Sequence, residues 1–292
     1  MEIIRKLNSR TPKDIARACR KICRRQYGVD RAKVWIDHPA PNLPIAELND
    51  LCGGGVDHQL GAMPFHPRWK SSIELYQPSR RALKLLADAL AGTQYDAEIS
   101  YVELACDLIT RAQGKAEALG KWLLGHVWLK SCRERVVLDK NGTTYYYHRR
   151  HDGNGRKSPK VLALYADKPS KLPGRRKGEP CCHIEFRLSG AAAVKRAGIV
   201  SVGDLLDFDH AAFWTQGICL ASWKSKADLG RAVYAGDAEI SGAALRKHAN
   251  MVMREYDLKG TFVMQNALLE EPDLRNVTSG IDPAIIFCSA TI

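Results

Sequence analysis

The sequence predicts an α+β fold, a mostly antiparallel central sheet with flanking helices and a helical C-terminal part. Three observations carry that expectation. "SYVELACDL" (100–108) and "CCHIEFRL" (181–188) alternate polar and apolar residues with the period of a strand. "RVVLDKNGTTYYYHRR" (135–150) sets two β-rich runs around an Asn141-Gly142 turn, the pattern of a tight hairpin. Beyond Ser189 the texture turns helical, in "AAAVKRAG", "SVGDLLDFDHAAFWTQG", "KADLGRAVYAG" and "SGAALRKHANMVMREYD".

The remaining elements follow in chain order. "TPKDIARACRKICRRQYG" reads as a basic helix, with Thr11 as N-cap, Pro12 at the first helical position and Gly28 as the stop. Its apolar stripe is Ile15, Ala18, Cys19 and Ile22. "AKVWIDH" reads as a short strand, and the Gly- and Pro-rich stretch 39–67 as loop. Within it "LCGGGVDHQLG" lacks the spacing of a phosphate loop, and His58 and His66 read as loop histidines. "SSIELYQ" predicts a strand, "SRRALKLLADALAG" a helix capped by Ser79 and ended by Gly92, and "KAEALGKWLLGHVWLK" an amphipathic helix. "KVLALYA" is a further strand, followed by the loop "DKPSKLPGRRKG"; "TFVMQ" and "AIIFCSA" read as late strands. The expected organisation is a basic N-terminal helix over 1–30, a main domain over 31–220 and a mainly helical region over 221–292.

Composition narrows the function. A net charge of +12 over 292 residues favours a polyanionic partner. Nucleic acid is expected before membrane, because no long apolar stretch appears. The nine cysteines show no paired CxxC spacing, which argues against a structural zinc site. The start "MEIIRKLNSR" lacks the apolar run of a signal peptide, so a reduced, intracellular, cytoplasmic setting is expected.

The two alternating strands share an oddity. Tyr101, Glu103, Ala105 and Asp107 fall on one face of the first, opposite Val102, Leu104, Cys106 and Leu108. His183, Glu185 and Arg187 fall on one face of the second, opposite Ile184, Phe186 and Leu188. A one-sided antiparallel sheet explains a polar face by exposure alone. The basic segment that lies between them in sequence suggests more. Arg149, Arg150, Arg156, Lys157, Lys160, Lys168, Lys171, Arg175, Arg176 and Lys177 are opposed only by Asp152 and Asp167 between 148 and 177. Tyr145, Tyr146, Tyr147 and Tyr165 are interleaved with them. Such charge suits a phosphate backbone and such rings suit unpaired bases. Carboxylates beside that surface suggest a divalent cation near a phosphodiester, magnesium or manganese by the oxygen ligands.

The order of "ISYVELACDL", "TTYYYHRR" with "KVLALYADK", and "CCHIEFRLSGAAAVKRAGI" resembles the replication initiators of filamentous phages, the gene II type, and the related transposable-plasmid Rep proteins. The resemblance covers pieces between Ile99 and Ile218. It implies an HUH-endonuclease-like fold and a rolling-circle initiator that nicks and rejoins one DNA strand through a tyrosine with a metal. It places Glu103 and Glu185 at ligand positions. Asp107, further along the face of Glu103, is a further candidate metal ligand that the family pattern supports less. His183 stands where the family carries Arg, which leaves His183 as ligand or neighbour. Tyr165 followed by Lys168 matches the family's Tyr-then-Lys pattern, making Tyr165 the expected nucleophile. Tyr145, Tyr147 and Tyr234 are its rivals. The implied partners are origin DNA and a host helicase and polymerase. The alternatives are a conjugative relaxase of the same chemistry and a non-catalytic DNA-binding regulator.

Overall fold

The computed structural model describes residues 17–61, 67–124, 127–129, 136–140, 144–148, 159–173, 178–223, 278–281 and 284–288. In chain order the elements are β1 (Arg24–Ile36), α1 (Ile45–Leu51), β2 (Val56–Leu60), β3 (Ser71–Tyr76), α2 (Arg80–Ala91), β4 (Ala97–Ile109) and α3 (Gln113–Leu124). There follow β5 (Val127–Leu129), β6 (Val136–Lys140), β7 (Thr144–His148), β8 (Lys160–Tyr165), β9 (Cys181–Ser189) and α4 (Ala191–Arg196). The last are α5 (His210–Gly217), β10 (Ile218–Trp223), β11 (Thr278–Ile281) and α6 (Ala284–Phe287).

Eight strands form one sheet in the order β2-β3-β1-β4-β9-β8-β7-β6, and every pairing is antiparallel. The expected α+β architecture is therefore the one observed. A small second sheet runs β11-β10-β5. The apolar residues of the alternating strands line the inner face. Val102, Leu104, Cys106 and Leu108 of β4 and Ile184, Phe186 and Leu188 of β9 are buried. Across that face lie α3, against β8 and β9, and α4, against β4 and β9. At Gly120 the helix comes so close that a Cβ would meet the Ala166 methyl at 3.2 Å. Phe186 anchors the far end against Phe213 and Trp214, with ring centroids 5.0 and 4.9 Å away.

Four expectations need correcting. The basic helix thought to reach Gly28 has given way to strand by Arg24. Tyr27, Gly28 and Val29 pair with Cys106, Ala105 and Leu104 of β4, and this long-range ladder outweighs local helical spacing. Gly28 is no helix stop; its missing side chain leaves room for Leu172, whose methyl would lie 3.0 Å from a Cβ there. Second, the stretch taken as loop contains α1 and β2, linked through Gly55 at φ 83°. Third, the helix expected to run through Lys130 has ended by Leu124, and β5 pairs with β10 instead. Fourth, "AIIFCSA" is not a strand at its start but the short helix α6. Ile286 and Phe287 are buried there, and Phe287 stacks on Trp214. The Arg25 Nε and Tyr27 hydroxyl donate to the carbonyls of these two residues.

Other local readings match what is observed. The Ser79 side chain accepts from the Ala82 amide at 3.1 Å and caps α2, which ends at Gly92. The runs flanking Asn141-Gly142 pair as β6 and β7. "KADLGRAVYAG", "SGAALRKHANMVMREYD" and "TFVMQ" lie outside the described residues. Among those described, no helix is long and apolar enough to cross a membrane, and the cysteines are free thiols.

One core group gives the fold a pH signature. His210 opens α5 with its ring stacked on Tyr27, centroids 5.5 Å apart. Burial lowers its pKa to about 4, against a weaker opposing pull from Asp209. A depressed histidine pKa means that the unfolded chain binds the proton better. Above about pH 6.5 His210 adds no pH dependence, and from there towards pH 4 it destabilises the fold by at most about 1.4 kcal/mol per pH unit. His210→Phe should therefore gain relative stability as pH falls from 7 to 5, read from urea midpoints. A difference that stays constant with pH would refute this account.

Candidate metal centre and nucleic-acid groove

The register of β4 and β9 brings the polar faces together. Glu103 pairs with Arg187, Ala105 with Glu185, and Asp107 with His183. On the far side of β9, Ala163 pairs with Glu185 and Tyr165 with His183. Directly paired residues share a face, so the two carboxylates of β4, the carboxylate and imidazole of β9 and the phenol of β8 all emerge on one surface. That surface is not simply open to water. Glu103, Asp107, His183, Glu185 and Tyr165 are all buried.

The loop after β8 explains why. Residues 167–173 and 178–180 fold back over the sheet and close on themselves through a Pro169–Pro180 bridge. The Ser170 amide donates to the Glu179 carbonyl at 2.9 Å. Leu172 lies against Gly28, and the Gln26 side-chain amide donates to the Leu172 and Pro173 carbonyls at 3.3 and 3.1 Å. Beneath this strap sits the first cluster. Asp107 accepts from the Ser170 hydroxyl at 2.5 Å and contacts His183 Nδ1 at 2.7 Å. His183 Nε2 faces the carbonyls of Lys168 and Pro169 at 3.1 and 3.2 Å and the Cys181 thiol at 3.1 Å. Both ring nitrogens thus meet oxygen acceptors, a setting that suits imidazolium. Burial pulls the His183 pKa down, but the Asp107 hydrogen bond and charge outweigh it and hold it above the ordinary value.

The second cluster lies on the same face. Asp30, Glu103 and Glu185 each offer a carboxylate oxygen, all within 4.8 Å of one another. Three strands supply them, β1, β4 and β9. Asp30 is the residue that sequence reasoning missed. Val29 pairs with Leu104 and Arg31 with Glu103, so Asp30 is the extra residue of a β-bulge. Counting by twos from Ala32, Val34 and Ile36 would send Asp30 to the apolar face. The bulge returns it to the polar one. Its carbonyl accepts from the amide of Gln77 at 2.7 Å, and Gln77 adopts a left-handed φ of 51° just after β3.

Burial and mutual repulsion disfavour the ionised forms of Glu103, Asp30 and Tyr165. Burial, followed by the Glu185 charge, pushes the Glu103 pKa up to about 7, against opposing help from the Tyr101 hydroxyl and Arg187. Asp30 is raised by burial and then by Glu185. Tyr165 donates to Glu185 Oε2 at 3.1 Å and stacks on the His183 ring at a centroid distance of 4.6 Å. Burial and the charges of Glu185, Asp30 and Asp107 raise its pKa as well, holding the hydroxyl protonated. An open groove of about 310 Å³ runs over the cluster, and Arg31, Lys168, Lys171 and Arg187 line it beside Asp30, Glu103 and Tyr165. Three carboxylate oxygens this close together, beside a groove edged with cations, form a group that could hold a hard divalent ion.

Of the residues expected from sequence, the structure brings together Glu103, Glu185, Tyr165, Lys168 and Lys171. Asp107 and His183 form their own pair under the strap. Arg149, Arg150, Arg156, Lys157, Arg175, Arg176, Lys177 and Tyr234 lie outside the described residues. Tyr145 and Tyr147 pair with Leu164 and Leu162, the register positions that alternate with that of Tyr165.

An α+β protein with an acidic cluster on the outer face of an antiparallel sheet is the class that fold and site define. No family model matches the sequence, and no curated protein is significantly similar to it. Among solved structures the chain is similar to a rolling-circle replication initiator protein from Geobacillus stearothermophilus. The identity is 11%, the TM-score 0.36, and the match covers 78% of this chain and 96% of that one.

Ion binding to the folded chain should appear as stabilisation. At a hundredfold excess over its dissociation constant, manganese should add about 2.7 kcal/mol. Asp30→Asn and Glu185→Gln should each lose most of that gain in melting experiments. Asp107→Asn should keep it, although the protein starts less stable. Equal stabilisation of wild type and Asp30→Asn would remove Asp30 from the site.

Proposed function

We propose that the protein is a metal-dependent DNA-nicking and strand-joining enzyme of the rolling-circle initiator kind, with Tyr165 as nucleophile. The single observation that supports it best is the Tyr165 hydroxyl held against Glu185, one of three converging carboxylates, in a groove edged by cations. Asp30, Glu103 and Glu185 would hold magnesium or manganese, which would supply positive charge to a phosphodiester and to the ionising phenol. Tyr165 Oη then attacks phosphorus, and its proton passes to Glu185 Oε2, the oxygen that it already faces. The P–O3′ bond breaks as the Tyr–O–P bond forms, and the departing 3′-oxygen takes a proton from solvent water, leaving a 5′-phosphotyrosine and a free 3′-hydroxyl. The phosphotyrosine conserves the bond for later rejoining. Lys168 and Lys171 face the same groove and would steady the phosphate. His183, stacked flat beneath the phenol and fixed by Asp107, keeps Tyr165 in place. Origin DNA is the proposed substrate, presented single-stranded or supercoiled. The 3′-hydroxyl suits a host polymerase and the opened strand a host helicase.

Incubation with manganese and single-stranded DNA should give a covalent protein–DNA adduct, visible as a band shift that survives denaturation. Tyr165→Phe should abolish the adduct while leaving DNA affinity within about twofold, since phosphate contacts dominate affinity. An adduct that persists in Tyr165→Phe and vanishes in Tyr234→Phe would move the nucleophile to Tyr234.

The basic stretch should set the salt dependence of binding. Replacing Arg175, Arg176 and Lys177 together by Ala should flatten the slope of log affinity against log salt by about 0.7–0.9 per lost phosphate contact. An unchanged slope would exclude these three residues from the interface.

A further inference from the structure

Three carboxylates converge in the groove, and the charged group wedged between two of them is a cation. Arg187 lies two residues beyond Glu185 on β9, on the same face. Its Nε donates to Glu185 Oε1 at 2.7 Å, and its Nη2 donates to the same oxygen. The same Nε stands 3.5 Å from Glu103 Oε1. One guanidinium therefore spans a carboxylate of β4 and a carboxylate of β9 through the Oε1 atom of each. Glu185 Oε2 is left facing Tyr165, and Tyr101 donates to Glu103 Oε1, so both Oε1 atoms are held by donors from the protein. The three carboxylates carry three negative charges when ionised, and Arg187 is the cation that lies directly between Glu103 and Glu185.

We propose that Arg187 is a positioning and specificity-determining residue that ties Glu103 to Glu185 and matches the centre to a divalent rather than a trivalent cation. The proposal rests on the reading of Asp30, Glu103 and Glu185 as ligands. Two effects follow from its position. As a bridge, the planar fork fixes the spacing of two carboxylates that would otherwise repel each other. As a charge, it lies close enough to a bound ion to oppose each added positive charge, and a trivalent ion more than a divalent one. The first effect acts on every ion alike. The second changes the ratio of their affinities, which a merely structural residue would not alter.

The test is ion binding to the full chain without DNA. Manganese affinity is measured by calorimetry, and terbium affinity by luminescence excited through the nearby tyrosines, for wild type, Arg187→Gln and Arg187→Lys. Arg187→Gln should raise the terbium-to-manganese affinity ratio by about tenfold or more. Arg187→Lys keeps the charge but loses the fork, so it should weaken both ions together and leave the ratio within about threefold of wild type. An unchanged ratio in Arg187→Gln overturns the proposal while leaving the carboxylate centre intact. If Arg187→Gln does not fold, Arg187→Lys decides, because a shifted ratio there shows that charge is not the cause. Failure of wild type to bind either ion overturns the centre itself, a separate result from a failed ratio.

Discussion

Buried negative charge on one face of the β4–β9 pair is the constraint to which the surrounding structure responds. The ladder sets Glu103, Glu185, Asp107 and His183 side by side on a surface that other parts of the chain then cover. Two carboxylates about 4.8 Å apart repel by about 3 kcal/mol even at an effective dielectric of 20. The same face answers that repulsion in two ways. Under the strap, Asp107 is matched by His183 and Ser170, and the cluster is closed. In the groove, Asp30, Glu103 and Glu185 are answered by Arg187, by the hydroxyls of Tyr101 and Tyr165, and by Lys171 near Asp30.

The closed half supports the open half. His183 is fixed at both nitrogens, so its ring is a rigid floor for Tyr165. The strap that buries His183 begins directly after Tyr165 and carries Lys168 and Lys171 to the groove. The described residues of the β8–β9 connection, 166–173 and 178–180, thus cover a buried ion pair and bring cations to the place where a phosphate would lie. The bulge at Asp30 adds the last carboxylate from β1, at the point where the Gln77 amide grips its carbonyl.

Most of the elements were legible because they depend on short-range periodicity. Alternation in 101–108 and 183–188 named both central strands and assigned these residues to the correct face, since side chains alternate along a regular strand. Ser79 announced its helix through a cap that needs only three residues of context. Three of the four failures have one cause in common. Residues 24–28, 127–129 and 284–287 take conformations set by partners distant in sequence: β4, β10, and the Arg25–Tyr27–Trp214 surroundings of α6.

The sequence by itself determined that two strands each carry carboxylates on one face and core residues on the other, and that the chain is strongly basic. It could not say that the strands are neighbours, because β4 and β9 are separated in sequence by α3 and the four strands β5 to β8. Only the tertiary structure decided which carboxylates meet. Register set Glu103 near Glu185 and Asp107 beside His183, the strap covered Asp107 and His183, and the bulge turned Asp30 to the polar face. A bulge is an irregularity of pairing between two strands, and the alternation within one strand holds no trace of it.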